Sequence, residues 1–271
     1  MQSMQTGQRD HGGYRTQYDL YIPVTSFPAP FVLLIHGFAA HRGTLRGHAE
    51  RLCAKGFVVL NANMSTLFAP TLEAAQQRNI QMAAAHVEWA LQQPAPGGSA
   101  GGGATVLVDR SRVGLAGHSA GGAVVLEAAV ELRSRGVAVA RLCLLDGVPW
   151  PRTLGAAGRL LVPGGAPPPR VLSLRSDPGA WNMRGRILEA LQAAKSGGGG
   201  DAPLITDALI AGSGHGDPIC PPQRGLVVKL MGLLGPPRCA ELYSELLDAF
   251  LQGRESEALA AAGALVQVAA V

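Results

Sequence analysis

The sequence predicts an α/β fold, in which a mostly parallel central sheet is covered by helices on both faces. Short apolar segments alternate with longer segments of helical periodicity along most of the 271 residues, which is typical of repeated strand–helix units. Residues 31–35 form an uninterrupted apolar run, as expected for a strand buried on both faces. Hydrophobic residues make up 47% and charged residues 15% of the chain, a composition typical of a compact globular protein.

The predicted strands and helices alternate along the chain from residue 31 to residue 251. Strands are expected at residues 31–35, 57–60, 113–116, 141–145, 171–174 and 204–211. Helices are expected at residues 44–54, 72–91, 120–135, 184–195, 224–234 and 239–251.

Three segments do not fit this alternation. The Gly-rich residues 94–103 and 196–200 are expected to be flexible surface insertions. The Pro- and Gly-rich residues 147–169 are expected either to form part of a substrate-binding rim or to be a connecting loop. Because none of these stretches divides the chain, residues 1–271 are expected to form one domain.

Charge and cysteine content exclude several classes of function. The formal net charge is +4 and basic residues are scattered singly, so no nucleic-acid partner is expected. No apolar run is long enough to cross a bilayer, and residues 1–14 lack the apolar core of a secretory signal. A soluble protein of the cytoplasm is therefore expected, with an organelle left open.

The four cysteines show no Cys-x-x-Cys spacing, so no metal site is expected. Pairing of Cys220 with Cys239 is left open.

The segment Gly117-His118-Ser119-Ala120-Gly121 is a G-x-S-x-G motif between a predicted strand and a predicted helix. This context is that of a nucleophile elbow, a turn so tight that only glycine fits two residues to either side of the nucleophile. The turn places the serine hydroxyl at a helix N-terminus, where developing negative charge is stabilised. Ser119 is therefore the predicted nucleophile.

The general base is expected to be a histidine that follows the serine, because proteins with this elbow order their triad as Ser, acid, His. His215 is the only histidine after Ser119, and it lies in a Gly-rich segment beyond the last predicted strand. His118 is expected to point away from the reacting atoms. Four histidines that precede the motif are expected at the surface; they are His11, His41, His48 and His86.

Two aspartates between Ser119 and His215 are candidates for the acid of the triad. Asp146 directly ends an apolar strand, where a buried carboxylate needs a partner. Asp177 follows the next strand within Ser-Asp-Pro-Gly, which is also a good turn sequence. Asp146 is favoured, and Asp177 is kept as the alternative.

An oxyanion hole requires two backbone N–H groups aimed at the developing charge. Ala120, the residue after the nucleophile, is expected to supply one of them, and Phe38 in the His-Gly-Phe loop after residues 31–35 the other. Phe38, Met64, Trp150 and Trp181 are candidates for an apolar substrate pocket, with ordinary packing as the alternative role of each.

These motifs resemble the α/β-hydrolase superfamily over nearly the whole chain, and within it the chlorophyllases and the polyester-hydrolase or cutinase-like esterases. The likeness is carried by residues 33–38, 55–59, 117–122 and 145–147. In chlorophyllases the acid follows the strand just after the nucleophile helix, which implies Asp146, whereas the polyester-hydrolase position of the acid falls on Gly179. Chlorophyllases usually have Arg after the nucleophile and a longer segment around the acid, whereas this chain has Ala120 and a shortened Leu145-Asp-Gly147.

The resemblance implies a serine hydrolase that cleaves carboxylic esters through an acyl-enzyme, without a metal or organic cofactor. Its substrate would be a small-molecule or lipid-like ester. Two alternatives are kept: a peptidase or thioesterase on the same fold, and a non-catalytic binding protein that retains it. A dehalogenase would need Asp at the elbow and a dienelactone-type hydrolase would need Cys, whereas this chain has Ser119.

Overall fold

The computed structural model describes residues 3–11, 14–24, 28–64, 71–92, 108–162, 165–198, 204–220 and 233–269. Within these residues, nine strands form one sheet in the order β1-β2-β4-β3-β5-β6-β7-β8-β9. The strands are β1 (Ser3–Asp10), β2 (Arg15–Ile22), β3 (Ala29–Ile35), β4 (Val58–Ala62), β5 (Val108–His118), β6 (Arg141–Leu145), β7 (Arg170–Arg175), β8 (Ile205–Ile210) and β9 (Val266–Ala269).

The centre of the sheet is parallel and its borders are antiparallel. Strands β4, β3, β5, β6, β7 and β8 pair in parallel. Strands β1 and β2 add an antiparallel hairpin at one border, and β9 pairs antiparallel with β8 at the other. The parallel strands therefore all end at the same edge of the sheet, where ligand sites of open α/β sheets form.

Helices cover both faces of the sheet. They are α1 (Arg46–Ala54), α2 (Leu72–Gln92), α3 (Ala120–Ser134), α4 (Thr153–Ala157), α5 (Ile187–Gly198), α6 (Pro237–Gln252) and α7 (Glu255–Ala262). Side chains that alternate along β3 enter two separate cores: Phe31, Leu33 and Ile35 pack with α2, α3 and α5, whereas Val32 and Leu34 pack with α1, α6 and α7. This burial on both faces explains why β3 is an uninterrupted apolar run.

The predicted α/β class and mostly parallel sheet are confirmed. Strands β1, β2 and β9 and the short helices α4 and α7 were not predicted. Of the predicted insertions, residues 94–103 lie outside the described residues, as do residues 199–200 and most of the helix expected at 224–234. The insertion expected from residue 196 is wrong at its start, because α5 continues to Gly198.

Two histidines expected at the surface are buried. His48 lies on the inner face of α1 and its Nε2 donates to the carbonyl oxygen of Pro218 at 2.8 Å. His86 lies on the inner face of α2, with its Nε2 3.2 Å from the hydroxyl of Thr16. Each ring uses a polar partner from a distant segment, which a sequence pattern does not reveal.

The four cysteines all lie within the described residues, are buried and form no disulfide, so Cys220 and Cys239 do not pair. Among the helices of the described residues, none combines the length and apolar character needed to cross a membrane.

Candidate active site

The predicted site residues lie at the edge where the parallel strands end. Ser119 directly follows β5, Asp146 follows β6, and His215 lies five residues beyond the end of β8. The loop after β3 carries Phe38, and the loop after β4 carries Met64. Residues that are far apart in the chain meet here because parallel strands deliver their carboxyl ends to one place.

The turn between β5 and α3 forms the elbow that the motif predicted. Ser119 has φ 56° and ψ −124°, a strained conformation for a residue with a side chain. A β-carbon on Gly117 would lie 2.2 Å from the carbonyl oxygen of Gly121. A β-carbon on Gly121 would lie 2.4 Å from the carbonyl oxygens of Ile35 and His36. Both glycines are therefore required for the turn to close against β3.

Ser119, His215 and Asp146 form a continuous line of hydrogen bonds. The Nε2 atom of His215 lies 2.9 Å from the Ser119 hydroxyl oxygen, and its Nδ1 lies 2.5 Å from Oδ2 of Asp146. Because the carboxylate can only accept, Nδ1 carries the proton and Nε2 accepts from the serine hydroxyl. The three side chains are thus arranged so that His215 can remove the Ser119 proton.

The carboxyl group of Asp146 is buried and is held by donors from the loop after β7. Ser176 donates its backbone N–H to Oδ1 at 2.8 Å and its hydroxyl to Oδ2 at 2.6 Å, and Asn182 Nδ2 lies 3.3 Å from Oδ1. Burial by itself would raise the pKa of Asp146, but the hydrogen bonds and charge of His215 together with the Ser176 hydrogen bonds outweigh burial and lower it. The carboxyl group is therefore held ionised.

Asp177 does not contact His215. It is exposed, its Oδ2 accepts a hydrogen bond from the backbone N–H of Gly212 at 3.1 Å, and its own N–H donates to the carbonyl of Ser213 at 3.2 Å. The buried Asp217 holds the other side of the same loop, since its Oδ2 accepts from Gly214 N–H at 2.8 Å. Both carboxylates brace the loop that carries the histidine.

His118 contacts the backbone of His215. Its Nε2 donates to the carbonyl oxygen of His215 at 2.8 Å, and the two ring centroids are 5.0 Å apart. Burial, and then the charge of His215, lower the pKa of His118 to about 3. The neutral imidazole of His118 therefore supports the loop that carries His215.

The loop after β3 approaches Ser119 closely, as the predicted oxyanion hole requires. A β-carbon on Gly37 would lie 2.9 Å from the β-carbon of Ser119. His36 fixes this loop, because its Nδ1 donates to the carbonyl of Gly37 at 2.7 Å and its Nε2 accepts from the N–H of Met64 at 2.8 Å. Burial lowers the pKa of His36 to about 4, which keeps Nε2 available as an acceptor.

A small cavity, named here the site cavity, adjoins this loop and the start of α3, and neither Ser119 nor His215 lines it. It brings together Phe38, Met64, Ala120 and Trp150, four of the predicted residues. Trp181 does not line this cavity, and its side chain is exposed. The further lining residues come mainly from one face of α2, which the sequence did not connect with the site; they are Leu72, Ala75, Gln76, Asn79 and Val124.

A larger, more open cavity lies between the β1–β2 hairpin and α2, where His11, Tyr14 and Arg78 line it. It contains none of the residues of the predicted site. Within the described ranges, no three or more His, Cys, Asp or Glu side chains are grouped so that they could hold a metal ion.

No protein-family model matches the sequence, and no curated protein matches it. Solved structures do match, each over 93% of this chain. A dienelactone hydrolase from Anabaena variabilis has a TM-score of 0.62 and 18% identity, with 98% of that chain covered. A dienelactone hydrolase-like promiscuous phosphotriesterase from metagenomic libraries has a TM-score of 0.63, 18% identity and 98% coverage. A Pyrobaculum calidifontis esterase has a TM-score of 0.62, 17% identity and 85% coverage. The chain therefore has an α/β-hydrolase fold.

Proposed function

We propose that this chain is a serine hydrolase that cleaves carboxylic esters. The observation that carries the proposal is the hydrogen-bonded line from Asp146 through His215 to Ser119. It unites a nucleophile, a base and a group that orients the base, which is the arrangement that acyl transfer to a serine requires.

The reaction would proceed through two tetrahedral intermediates. Ser119 Oγ attacks the ester carbonyl while His215 Nε2 takes its proton, and the resulting oxyanion accepts hydrogen bonds from the backbone N–H groups of Phe38 and Ala120. His215 then protonates the leaving alcohol, and an acyl-enzyme remains on Ser119. Water, deprotonated by His215, attacks this acyl group and releases the acid. Asp146 stabilises the imidazolium form of His215 throughout, and the mechanism needs no cofactor.

The apolar lining of the site cavity supports a small-molecule or lipid-like ester as the substrate. The resemblance to chlorophyllases and cutinase-like esterases suggests two finer substrate classes, pheophytin-type esters and polyesters. The matched solved structures are named as a dienelactone hydrolase, a phosphotriesterase and an esterase. A substrate panel should therefore contain a p-nitrophenyl ester series, a pheophytin-type ester, a polyester, a lactone, a phosphotriester, a thioester and a peptide.

The test is hydrolysis of this panel by the wild type and by Ser119→Ala. We expect the wild type to cleave carboxylic esters and Ser119→Ala to lose at least about a thousandfold in kcat, because the nucleophile is removed. Exposed Ser134 on α3 provides a matched control, since Ser134→Ala leaves the site untouched. A variant Ser119→Ala as active as the wild type would refute the serine mechanism, and a wild type inert on every ester would favour the non-catalytic alternative.

A further inference from the structure

Cys220 lies five residues after His215 and carries a thiol that the proposed reaction does not use. Its side chain is 7% exposed, which is the largest exposed fraction among the four buried cysteines. A cysteine buried among apolar groups is inert, because burial raises the pKa of its thiol. Cys143 and Cys239 are of this kind, since burial raises the pKa of each. The surroundings of Cys220 are different.

The sulfur of Cys220 lies at the N-terminus of α1, beside the side chain of His48. It accepts hydrogen bonds from the backbone N–H groups of Gly47 and His48, the second and third residues of the helix, and from the imidazole of His48. Leu45, which precedes the helix, has no side-chain group that caps it. The N–H groups of a first helical turn and a neighbouring imidazolium both stabilise a thiolate.

Cys220 and His48 each favour the charged form of the other. Burial by itself would raise the pKa of Cys220, but the charge and hydrogen bond of His48 and the two backbone N–H groups outweigh burial and lower it. Burial by itself would lower the pKa of His48, but the charge and hydrogen bond of Cys220 and the carbonyl of Pro218 outweigh burial and raise it. The pair therefore combines a thiolate with an imidazolium, and the thiolate is the form of cysteine that oxidants attack.

The same two residues fasten the end of the loop that carries His215. The Nε2 of His48 donates to the carbonyl oxygen of Pro218 at 2.8 Å. The backbone N–H of Cys220 donates to the carbonyl oxygen of Thr44 at 2.8 Å. Residues 218–220 are thus bound to the start of α1 and to the turn before it, directly after the loop of the proposed base.

The sulfur of Cys220 has no free space on the side of α1. A β-carbon on Gly47 would lie 3.0 Å from both the β-carbon and the sulfur of Cys220. An oxygen atom added to the sulfur would therefore push residues 218–220 away from the helix. That displacement would move the loop of His215 and separate its imidazole from Ser119.

We propose that Cys220 is a site of reversible oxidation by hydroperoxides, and that its oxidation inactivates the protein by displacing the loop that carries His215. The thiolate sulfur attacks the terminal oxygen of the hydroperoxide, so that an S–O bond forms and the O–O bond breaks. The sulfur is oxidised to a sulfenic acid, and the leaving oxygen takes a proton from His48 and departs as an alcohol or as water. An added dithiol reduces the sulfenic acid to the thiol, with release of water, and becomes a disulfide. The loss of activity rests on the proposed ester hydrolysis, whereas the oxidation does not.

The experiment treats the wild type, Cys220→Ser and Cys239→Ser with hydrogen peroxide. Hydrolysis of p-nitrophenyl acetate and the intact mass of the protein are followed over time. We expect the wild type to gain one oxygen atom and to lose most of its activity, and dithiothreitol to reverse both changes. Cys220→Ser should show neither change, and Cys239→Ser, the same substitution at a cysteine without an imidazole partner for its sulfur, should respond as the wild type does.

His48→Gln tests the role of the imidazole. Without the imidazolium the pKa of Cys220 rises, and a rise of about one unit lowers the thiolate fraction, and with it the rate of oxidation, about tenfold. The rate is measured from the intact mass, so it does not depend on any effect of this variant on hydrolysis. Oxidation of His48→Gln at the wild-type rate would overturn the assigned role of His48.

Equal loss of activity in the wild type and in Cys220→Ser would overturn the inference, as would a wild type that gains no reversible oxygen atom. Complete oxidation of Cys220 with full activity would overturn the link to His215. Cys220→Ala repeats the test if Cys220→Ser folds poorly. A wild type that cleaves no ester overturns the proposed function, while the intact mass still decides whether Cys220 is oxidised.

Discussion

The carboxyl group of Asp146 is surrounded by hydrogen-bond donors from two separate segments of the chain. Besides His215, the backbone and hydroxyl of Ser176 donate to it, and the amide of Asn182 lies beside it. Its backbone has φ 46°, a conformation that an aspartate adopts only under constraint. Burial, donors and strain together fix the carboxylate in one position relative to the imidazole.

The two aspartates that the sequence proposed should differ sharply in their effect on catalysis. We expect Asp146→Asn to lower kcat by about a thousand- to ten-thousandfold, because the amide no longer selects the tautomer of His215 that accepts at Nε2. Asp177→Asn should change kcat by less than about threefold, because the exposed side chain retains an acceptor for Gly212. Steady-state kinetics on one p-nitrophenyl ester measure both effects. Equal losses in the two variants would contradict the assignment.

Ser176 offers a finer test of how the acid is held. Ser176→Ala removes the 2.6 Å hydroxyl donor to Asp146 but keeps the backbone donor, so we expect kcat to fall by about five- to twentyfold. Thermal unfolding run in parallel separates this effect from a loss of stability. A kcat equal to that of Ser134→Ala would show that the hydroxyl has no part in orienting Asp146.

At this scale the chain order and strand ends were enough to predict Ser119, His215 and Asp146 as one constellation. They were not enough for Ser176, Asn182 or Gln76. Those side chains reach the site through loops and helix faces whose placement depends on tertiary packing, and a lone Gln in an amphipathic helix carries no local signal. For the same reason the sequence could not tell that Trp181 is exposed and lies outside the site cavity, since an aromatic residue near a predicted acid can equally face solvent.

The elbow is the element on which the site depends most. It presses α3 against the end of β3, where the carbonyl oxygens of Ile35 and His36 leave no room for a side chain at Gly121. Because those carbonyls begin the loop that carries Phe38, the proposed nucleophile and the predicted oxyanion donors are positioned by one contact.

Two glycine substitutions should therefore have opposite consequences. We expect Gly121→Ala to destabilise the protein by more than about 3 kcal/mol or to prevent folding, because its β-carbon meets fixed backbone atoms. Gly155→Ala, in α4 with open space around the position, should be neutral or stabilise by up to about 1 kcal/mol. Urea unfolding measures both. Equal stability of the two variants would contradict this account of the elbow.

Elements in the parallel core were easier to predict than those at the borders. Strand β3 is an apolar run because both of its faces are buried, whereas β1 has a mostly exposed, polar sequence. An edge strand pairs through its backbone and needs little apolar surface. Hydrophobic periodicity therefore does not reveal it.

Buried neutral histidines make the whole molecule sensitive to acid. Burial lowers the pKa of His36 to about 4 and the pKa of His86 to about 3, and the pKa of His118 is also about 3. Between these values and 6.5, the unfolded chain binds protons that the folded chain does not bind. Stability that is fully present above pH 6.5 is thus lost as the pH falls, by about 1.4 kcal/mol per histidine and pH unit.

His86 allows this to be measured away from the site. We expect the urea midpoint of His86→Gln to fall less steeply than that of the wild type between pH 6.5 and pH 4, because one proton-binding difference is removed. His41 is exposed, and His41→Gln serves as the control with the wild-type slope. Parallel pH profiles of all three proteins would contradict a neutral, buried His86.

The antiparallel borders of the sheet also determine how the molecule would respond to mechanical force. In β1 the pairing runs from Ser3 opposite Ile22 to Asp10 opposite Arg15, and in β9 Ala269 lies opposite Asp207. A force that pulls residues 3 and 269 apart would act on the hydrogen bonds of each border strand one pair after another. Strands β1 and β9 would separate from their neighbours at low force. The parallel strands that Ser119, Asp146 and His215 follow would separate only at much higher force.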